Sequence, residues 1–342
     1  MNCDRALNIE DGPSLLRYLR ETGRLEPTEA ALFTSLPGGI SNRTVLVERA
    51  DRRRLVLKQA LPKLRVATNW PSDPRRIYQE ALGLIWLGRL TPPGAIPKLL
   101  FEDRQQHLIA MDAVPTPHQN WKERLLSGQL EFARVEQFAN LLGTIHHRST
   151  EQKDELARIF HSRTFFETLR IEPYYHYTAS RHLAVTEFFS NLIAQTALNR
   201  LALVHGDYSP KNILISPDQF VLLDHEVIHW GDPAFDVGFA LTHLLSKAHH
   251  LPGCRSCYLK AALVFWQTYQ STGELSKSDG FEARAAGHTL GCLLARVDGR
   301  SPLEYLNSRE QLRQRALTLA LISKPPASLA LLIDQFGVGL AL

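Results

Sequence analysis

The sequence predicts an α+β protein of two lobes, a small sheet-bearing lobe followed by a larger helical one. Three observations predict it. Apolar and polar side chains alternate with a two-residue period over 45–58, and a second pair of short apolar runs follows over 96–114. A helical period dominates beyond about residue 117. One stretch, 201–239, interrupts those helices with short apolar strands and loops full of His, Asp, Asn, Pro and Gly. The lobes are therefore placed at 1–112 and 113–342.

Composition agrees with this reading. The chain has 342 residues, 44% hydrophobic and 22% charged, which suits two or three domain-sized units, or two lobes around a cleft. A net charge of +4 is too thin for a nucleic-acid protein, and there is no basic stripe interleaved with aromatics. No apolar run approaches the roughly 18 residues that cross a bilayer. The opening MNCDRALNIEDG carries acids where a signal peptide needs a basic and then an apolar run, so a cytoplasmic protein with no membrane or nucleic-acid partner is expected. Four cysteines, Cys3, Cys254, Cys257 and Cys292, are too few for a disulfide framework. The Cys254-x-x-Cys257 pair is half of a zinc site with no second half nearby.

Taken in order, residues 5–20 and 27–33 read as helices, and the run LPGGISNRTVLVERADRRRLVLKQAL reads as strand, charged turn and strand. A helix over 74–90 follows, with Pro74 near its start and a stripe of Ile77, Ala81, Leu84, Ile85 and Gly88. IPKLLFEDRQQHLIAMDAVP is a second hairpin. Helices are then expected over 131–147, striped by Val135, Phe138, Leu142 and Ile145, and over 181–200, 257–271, 281–297 and 309–323. The pairs His146-His147 and His249-His250 end helices, where a cation suits the helix dipole. Arg65, Arg75 and Arg76 read as a solvated basic face, with anion contact as the alternative, and Tyr174, Tyr175 and Tyr177 as core aromatics, with a substrate wall as the alternative.

The chemistry concentrates in His205-Gly206-Asp207, Asn212 five residues later, and Asp224 after the apolar run FVLL. ALV leads into the motif, ILI leaves it, and the turn Ser216-Pro217-Asp218 sends the chain back, so a hairpin gathers Asp207, Asn212 and Asp224 at one mouth. Carboxylate and amide oxygens grouped in this way suit a hard divalent cation such as Mg²⁺ and the phosphates it neutralises.

This pattern resembles the catalytic and metal-binding loops of the aminoglycoside phosphotransferase and choline kinase superfamily, which has a protein-kinase-like fold. The resemblance implies an ATP- and Mg²⁺-dependent kinase acting on a hydroxyl of a small metabolite such as a sugar, an amino alcohol or an aminoglycoside. It implies Asp207 as catalytic base, His205 as support for the loop, Asn212 and Asp224 as metal ligands, and Asp236 as a brace from the following helix. A carboxylate is a weak base for an alcohol, so Asp207 would orient the hydroxyl and accept its proton late. Lys58 ends the strand LVLK as the nucleotide lysine would, and Glu80 is spaced to pair with it. Gly38, Gly39, Ser41 and Asn42, in PGGISN, occupy the place of the nucleotide loop, and Met111 joins them at the connector. The run KQALPKLRVATNWPSDPRRIYQEA resembles the methylthioribose kinases more closely, whereas Asn212 follows the aminoglycoside-kinase pattern; the acceptor stays open.

The interval from Asp224 to Asp236 is a dozen residues with no A-P-E segment, leaving no room for a peptide-docking activation loop and favouring a small substrate. Two other functions compete: nucleotidyl transfer on the same fold, and a pseudokinase that binds without turnover. Retention of Lys58, Asp207, Asn212 and Asp224 argues against the pseudokinase.

Overall fold

The computed structural model describes residues 7–37, 39–66 and 69–341; Gly38 and Cys3 lie outside them. Two compact units divide the chain, Met1–His118 and Gln119–Leu342.

The first unit begins with α1 (Gly12–Glu21). Asp11 caps it, accepting from the Ser14 amide at 3.1 Å, and Pro13 lies in its first turn. Its buried residues are Leu15 and Leu19. Strands β1 (Ala31–Ser35), β2 (Asn42–Arg49), β3 (Arg54–Ala60), β4 (Leu99–Asp103) and β5 (Leu108–Asp112) form one antiparallel sheet in the order β1-β2-β3-β5-β4. Val45, Val47, Leu57, Leu108 and Ala110 point from it into a core shared with Leu15 and Leu19. Strand alternation then turns Lys58 to the opposite face from Leu57. Helix α2 (Arg76–Leu90), which carries Glu80, packs against β3, β4 and β5.

Two expectations fail here. Residues 31–35 form β1, not the end of a helix, because Ala31–Ser35 finds a ladder on β2, from Ala31↔Arg49 to Ser35↔Val45. A short apolar run cannot declare its period without a partner strand. In α2 the buried stripe is Ile77, Ala81, Leu84, Leu87 and Leu90; Ile85 is 38% exposed and Gly88 is exposed. The inward face includes Glu80, so its axis is rotated from the purely apolar one.

The second unit opens with β6 (Gln119–Asn120), α3 (Trp121–Leu126), α4 (Phe132–Glu151) and α5 (Lys153–Ile159). Val135, Phe138, Leu142 and Ile145 of α4 are all fully buried, as their spacing predicted. A short helix α6 (Thr164–Phe166) runs into a wide π-helical segment, Glu167–His176, that contains Pro173 and continues as α7 (Tyr177–Arg181). Helix α8 (Thr186–Leu198) follows. The loop-rich stretch supplies β7 (Ala202–Val204), β8 (Ile213–Ile215), β9 (Phe220–Leu222) and β10 (His229–Gly231). Strands β8 and β9 form the expected hairpin, from Ile213↔Leu222 to Ile215↔Phe220.

Helix α9 (Ala234–His250) is the centre of this unit, buried without a break from Ala234 to His249. Helices α10 (Arg255–Ser271) and α11 (Phe281–Asp298) pack on it, and α12 (Ser308–Ser323) and α13 (Leu329–Ala341) close the unit. Asn307 and Glu310 cap α12 reciprocally. Cys254, Cys257 and Cys292 are free thiols. Among the described residues no helix is long and apolar enough to cross a membrane.

Candidate active site

Strand β7 delivers the chain into His205-Gly206-Asp207, and Asp236 at the start of α9 catches it there. The Asp236 carboxylate accepts from the His205 amide at 2.7 Å and the Gly206 amide at 2.8 Å. It also faces His146 Nε2 at 3.3 Å, and His146 Nδ1 lies 2.8 Å from the Tyr269 hydroxyl. His146 therefore donates from Nε2 to Asp236 and accepts from Tyr269. Burial by itself would raise the Asp236 pKa, but the His146 bond, the electrostatic interaction with His146 and His205 and the Gly206 amide outweigh it and hold the carboxyl below its ordinary range.

Gly206 adopts φ +78°, and a Cβ there would stand 2.9 Å from Val227 Cγ2. His205 is fully buried, and burial pushes its pKa below the ordinary value, so the ring is neutral. Its Nδ1 accepts from the Asp207 amide at 3.2 Å, which leaves the proton on Nε2, 3.1 Å from His225 Nδ1. The His205 ring thus holds the Asp207 backbone from one side and His225 from the other.

Asn212 donates from Nδ2 twice, to the Asp207 carbonyl at 2.9 Å and to Asp207 Oδ2 at 2.8 Å, which turns its amide oxygen away as an acceptor. The β8–β9 register brings the second half of the motif to it, the Leu223 amide donating to the Asn212 carbonyl at 2.9 Å. Asp224 follows at φ +68°, a left-handed conformation that Asp tolerates better than most residues. Among the described residues no set of three His, Cys, Asp or Glu side chains could hold a metal by itself. Mg²⁺ commonly takes one or two carboxylates and completes its shell from phosphates and water, which is the donor set that Asp224 and the Asn212 oxygen can offer.

The sequence reading missed Arg170. It lies in the π-helical segment, with Nε donating to the Gly206 carbonyl at 2.8 Å and Nη2 standing 3.1 Å from Asp207 Oδ2. Burial would lower its pKa, but Asp207, Tyr174, Glu226 and Asp224 together raise it. Glu226, buried and two residues past Asp224, was also missed, as was His146, read only as a helix-end cation. The π-helix, a form that often marks functional sites, is the one signal near Arg170, and it is invisible before folding.

In the first unit, Lys58 Nζ is 2.5 Å from Glu80 Oε1, with the Glu80 side chain 1% exposed. Lys58 lies opposite Thr44 on β2 and Ile109 on β5, and Met111 opposite Val56. Ser41 and Asn42 are buried and bonded to each other, Asn42 Nδ2 to Ser41 Oγ at 3.1 Å. A Cβ on Gly39 would stand 3.0 Å from the Asn42 carbonyl. Arg76 corrects the solvated-face expectation. It is fully buried and donates to the carbonyls of Ser41 and of Leu61, the latter at 3.0 Å, tying that turn to the segment after β3. Arg75 and Arg65 are exposed, paired with Asp73 and Glu10.

The sequence profile described as the phosphotransferase enzyme family matches residues 33–275. The chain belongs to this family. It is 26% identical over 270 residues to methylthioribose kinase 2 of Oryza sativa subsp. japonica, covering 69% of this chain and 62% of the rice protein. It is 24% identical over 295 residues to methylthioribose kinase of Yersinia pseudotuberculosis serotype O:1b (strain IP 31758), covering 74% and 71% of the two chains. The chain thus spans only 62% of the length of the rice relative. Amicoumacin kinase, solved with AMP-PNP, Ca²⁺ and Ami, superposes with a TM-score of 0.59 at 14% identity, covering 93% of this chain and 95% of that one. Choline kinase from Cryptosporidium parvum Iowa II gives 0.56 at 11% identity, covering 95% and 100%. This phosphotransferase-family chain shares their kinase-like fold.

Proposed function

We propose that this chain is a small-molecule kinase that transfers the γ-phosphoryl group of ATP, with Mg²⁺, to a hydroxyl of a small metabolite. The observation that carries the reading is the loop pinned by Asp236, in which Asp207 is held by Asn212 and Arg170 while the β8–β9 register joins Asp224 to Asn212.

Phosphoryl transfer asks a protein mainly for positioning and charge neutralisation. Asp207 orients the acceptor hydroxyl and takes its proton late. His205 and Asp236 fix the backbone that presents Asp207, and Arg170 holds the carboxylate in one direction. Lys58, oriented by Glu80, contacts nucleotide phosphate, with Gly38, Gly39, Ser41, Asn42 and Met111 completing the nucleotide's surroundings. Asp224 and the Asn212 amide oxygen would hold Mg²⁺, which when bound neutralises phosphate charge. The relatives named methylthioribose kinases make a thiosugar the first acceptor to test, before amino alcohols and aminoglycosides.

The test is a thermal-shift titration with ATP and Mg²⁺, with and without EDTA, followed by product assay against that acceptor panel. At a hundredfold excess over Kd the stabilisation expected is about 2.7 kcal/mol. A metal-dependent shift with phosphorylated product is the expected result. A shift with no product from any acceptor would favour a pseudokinase, and no nucleotide shift at all would overturn the reading.

A further inference from the structure

Lys247, eleven residues past Asp236 on α9, is fully buried, and among the described residues no carboxylate forms an ion pair with it. Its Nζ donates to the His243 carbonyl at 3.2 Å and lies 5.5 Å from the centre of the Tyr305 ring. Groups near it leave polar atoms unsatisfied too. His243 Nε2, the Tyr305 hydroxyl and Arg296 Nε are buried without a hydrogen-bond partner, while Arg296 Nη1 donates to the Tyr174 hydroxyl at 2.9 Å, the Ser301 carbonyl at 2.6 Å and Ser301 Oγ at 3.1 Å. Buried polar atoms left in this way are costly unless something else pairs with them.

The charged groups nearest them, Arg296, Lys122 and Lys211, are all cationic. The His243 pKa is held well below its ordinary value by burial and then by Arg296, Lys247, Lys122 and Lys211, and burial followed by Lys122 and Arg296 pushes Lys247 down to about 7. The one carboxylate that offsets this field at Lys247 is Glu304, whose side chain is 66% exposed and is held at the surface by Lys122. A row of packed groups joins the cluster to the catalytic loop. His243 packs edge-on against Phe239 at 5.1 Å, and the Arg296 guanidinium lies 5.9 Å from the Phe239 ring and 5.6 Å from the Tyr174 ring. Tyr174 in turn faces Arg170, the partner of Asp207, at 5.9 Å. Along α9, the seven residues from Asp236 to His243 correspond to about 10 Å of rise.

We propose that His243, Lys247, Arg296 and Tyr305 form a binding site for an oxyanion, a carboxylate or phosphate group, carried by the acceptor whose hydroxyl Asp207 orients. The acceptor part of this proposal rests on the kinase reading and sets acidic hydroxyl compounds above the neutral thiosugar and the cationic amino alcohols and aminoglycosides; the anion site does not rest on it. An entering oxyanion supplies the acceptor atoms that the Tyr305 hydroxyl, the Lys247 ammonium and the His243 ring lack, and it competes with Glu304 for Lys122.

The first test is a thermal-shift titration with inorganic phosphate against potassium chloride of equal ionic strength, in the Lys58→Ala background so that the proposed nucleotide site does not respond. Lys247→Met and Lys247→Gln are titrated beside it, Gln keeping a polar tip should Met not fold. A saturable rise in melting temperature that becomes at least tenfold weaker in the Lys247 variants is expected. No saturable response in the parent, or an equal response in the folded variants, overturns the site. The second test compares hydroxy acids with their neutral amides as acceptors for the protein with Lys58 intact. The acid is expected to be favoured at least tenfold in kcat/KM, with the preference lost in Lys247→Met. An equal or reversed preference overturns the assignment to the acceptor. If neither kind turns over while another acceptor of the panel does, the assignment to the acceptor is overturned; if no acceptor at all turns over, the kinase reading has failed, and the phosphate titration alone decides the site.

Discussion

Arg170 Nη2 stands 3.1 Å from Asp207 Oδ2, and the same guanidinium holds the carbonyl of Gly206. The two residues are far apart in sequence, and neither spacing nor composition announces the pairing. Within the proposed mechanism it means that Asp207 is aimed from two sides, by Asn212 and by Arg170.

Arg170→Met should therefore lower kcat by roughly 10²-fold, the order expected when one preorganised charged group is lost from the reacting centre. KM for the nucleotide should change much less. Steady-state kinetics decides it: a change in KM alone would place Arg170 outside the positioning of Asp207.

Asp207→Asn should reduce turnover by roughly 10²–10⁴-fold while the nucleotide-induced thermal shift persists. Normal turnover in this variant would remove Asp207 from the mechanism.

Asp236 lies below its ordinary pKa through His146, His205 and the Gly206 amide, burial opposing them. A carboxylate depressed on folding contributes stability that is complete above its unfolded pKa and is lost as pH falls through the folded value. The stability gap between the wild type and Asp236→Asn, about 3 kcal/mol at neutral pH for a broken buried pair, should therefore narrow as pH falls below the ordinary Asp carboxyl value of 3.8. Urea unfolding at a series of pH values measures the gap; a gap that widens in acid would contradict this sign.

Gly206→Ala should destabilise the protein by about 1–3 kcal/mol, combining a left-handed backbone with a new contact against Val227. Chemical denaturation gives the number, and a neutral substitution would show that the loop relaxes freely.

Lys58→Ala should abolish most of the nucleotide-induced thermal shift. Glu80→Gln should weaken that shift to a smaller degree, because the lysine charge remains and only its orientation is lost. Equal shifts in all three proteins would detach the Lys58–Glu80 pair from nucleotide binding.

Much of the fold could be read directly. Alternation located both hairpins of the first sheet, and the stripe of α4 is buried residue for residue as its period requires. The failures share one cause. Residues 31–35 took strand form from a ladder with β2, and Arg76 turned inward because the carbonyls of Ser41 and Leu61 waited there. Such partners are brought near only by folding.

Local order in the sequence by itself determined the loop from His205 to Asn212, the β8–β9 hairpin and the order Lys58, Glu80, Asp207, Asn212, Asp224, since each depends on neighbours a few residues away or on a fixed succession of motifs. Tertiary structure alone decided that Arg170 faces Asp207, that His146 and Tyr269 share the Asp236 carboxylate's surroundings, and that Lys247 is buried. A charged side chain far from its partner in sequence looks the same on paper whether solvent or protein surrounds it. Desolvation and the field of the groups packed around it give that charge its role, and both exist only once the chain has closed on itself.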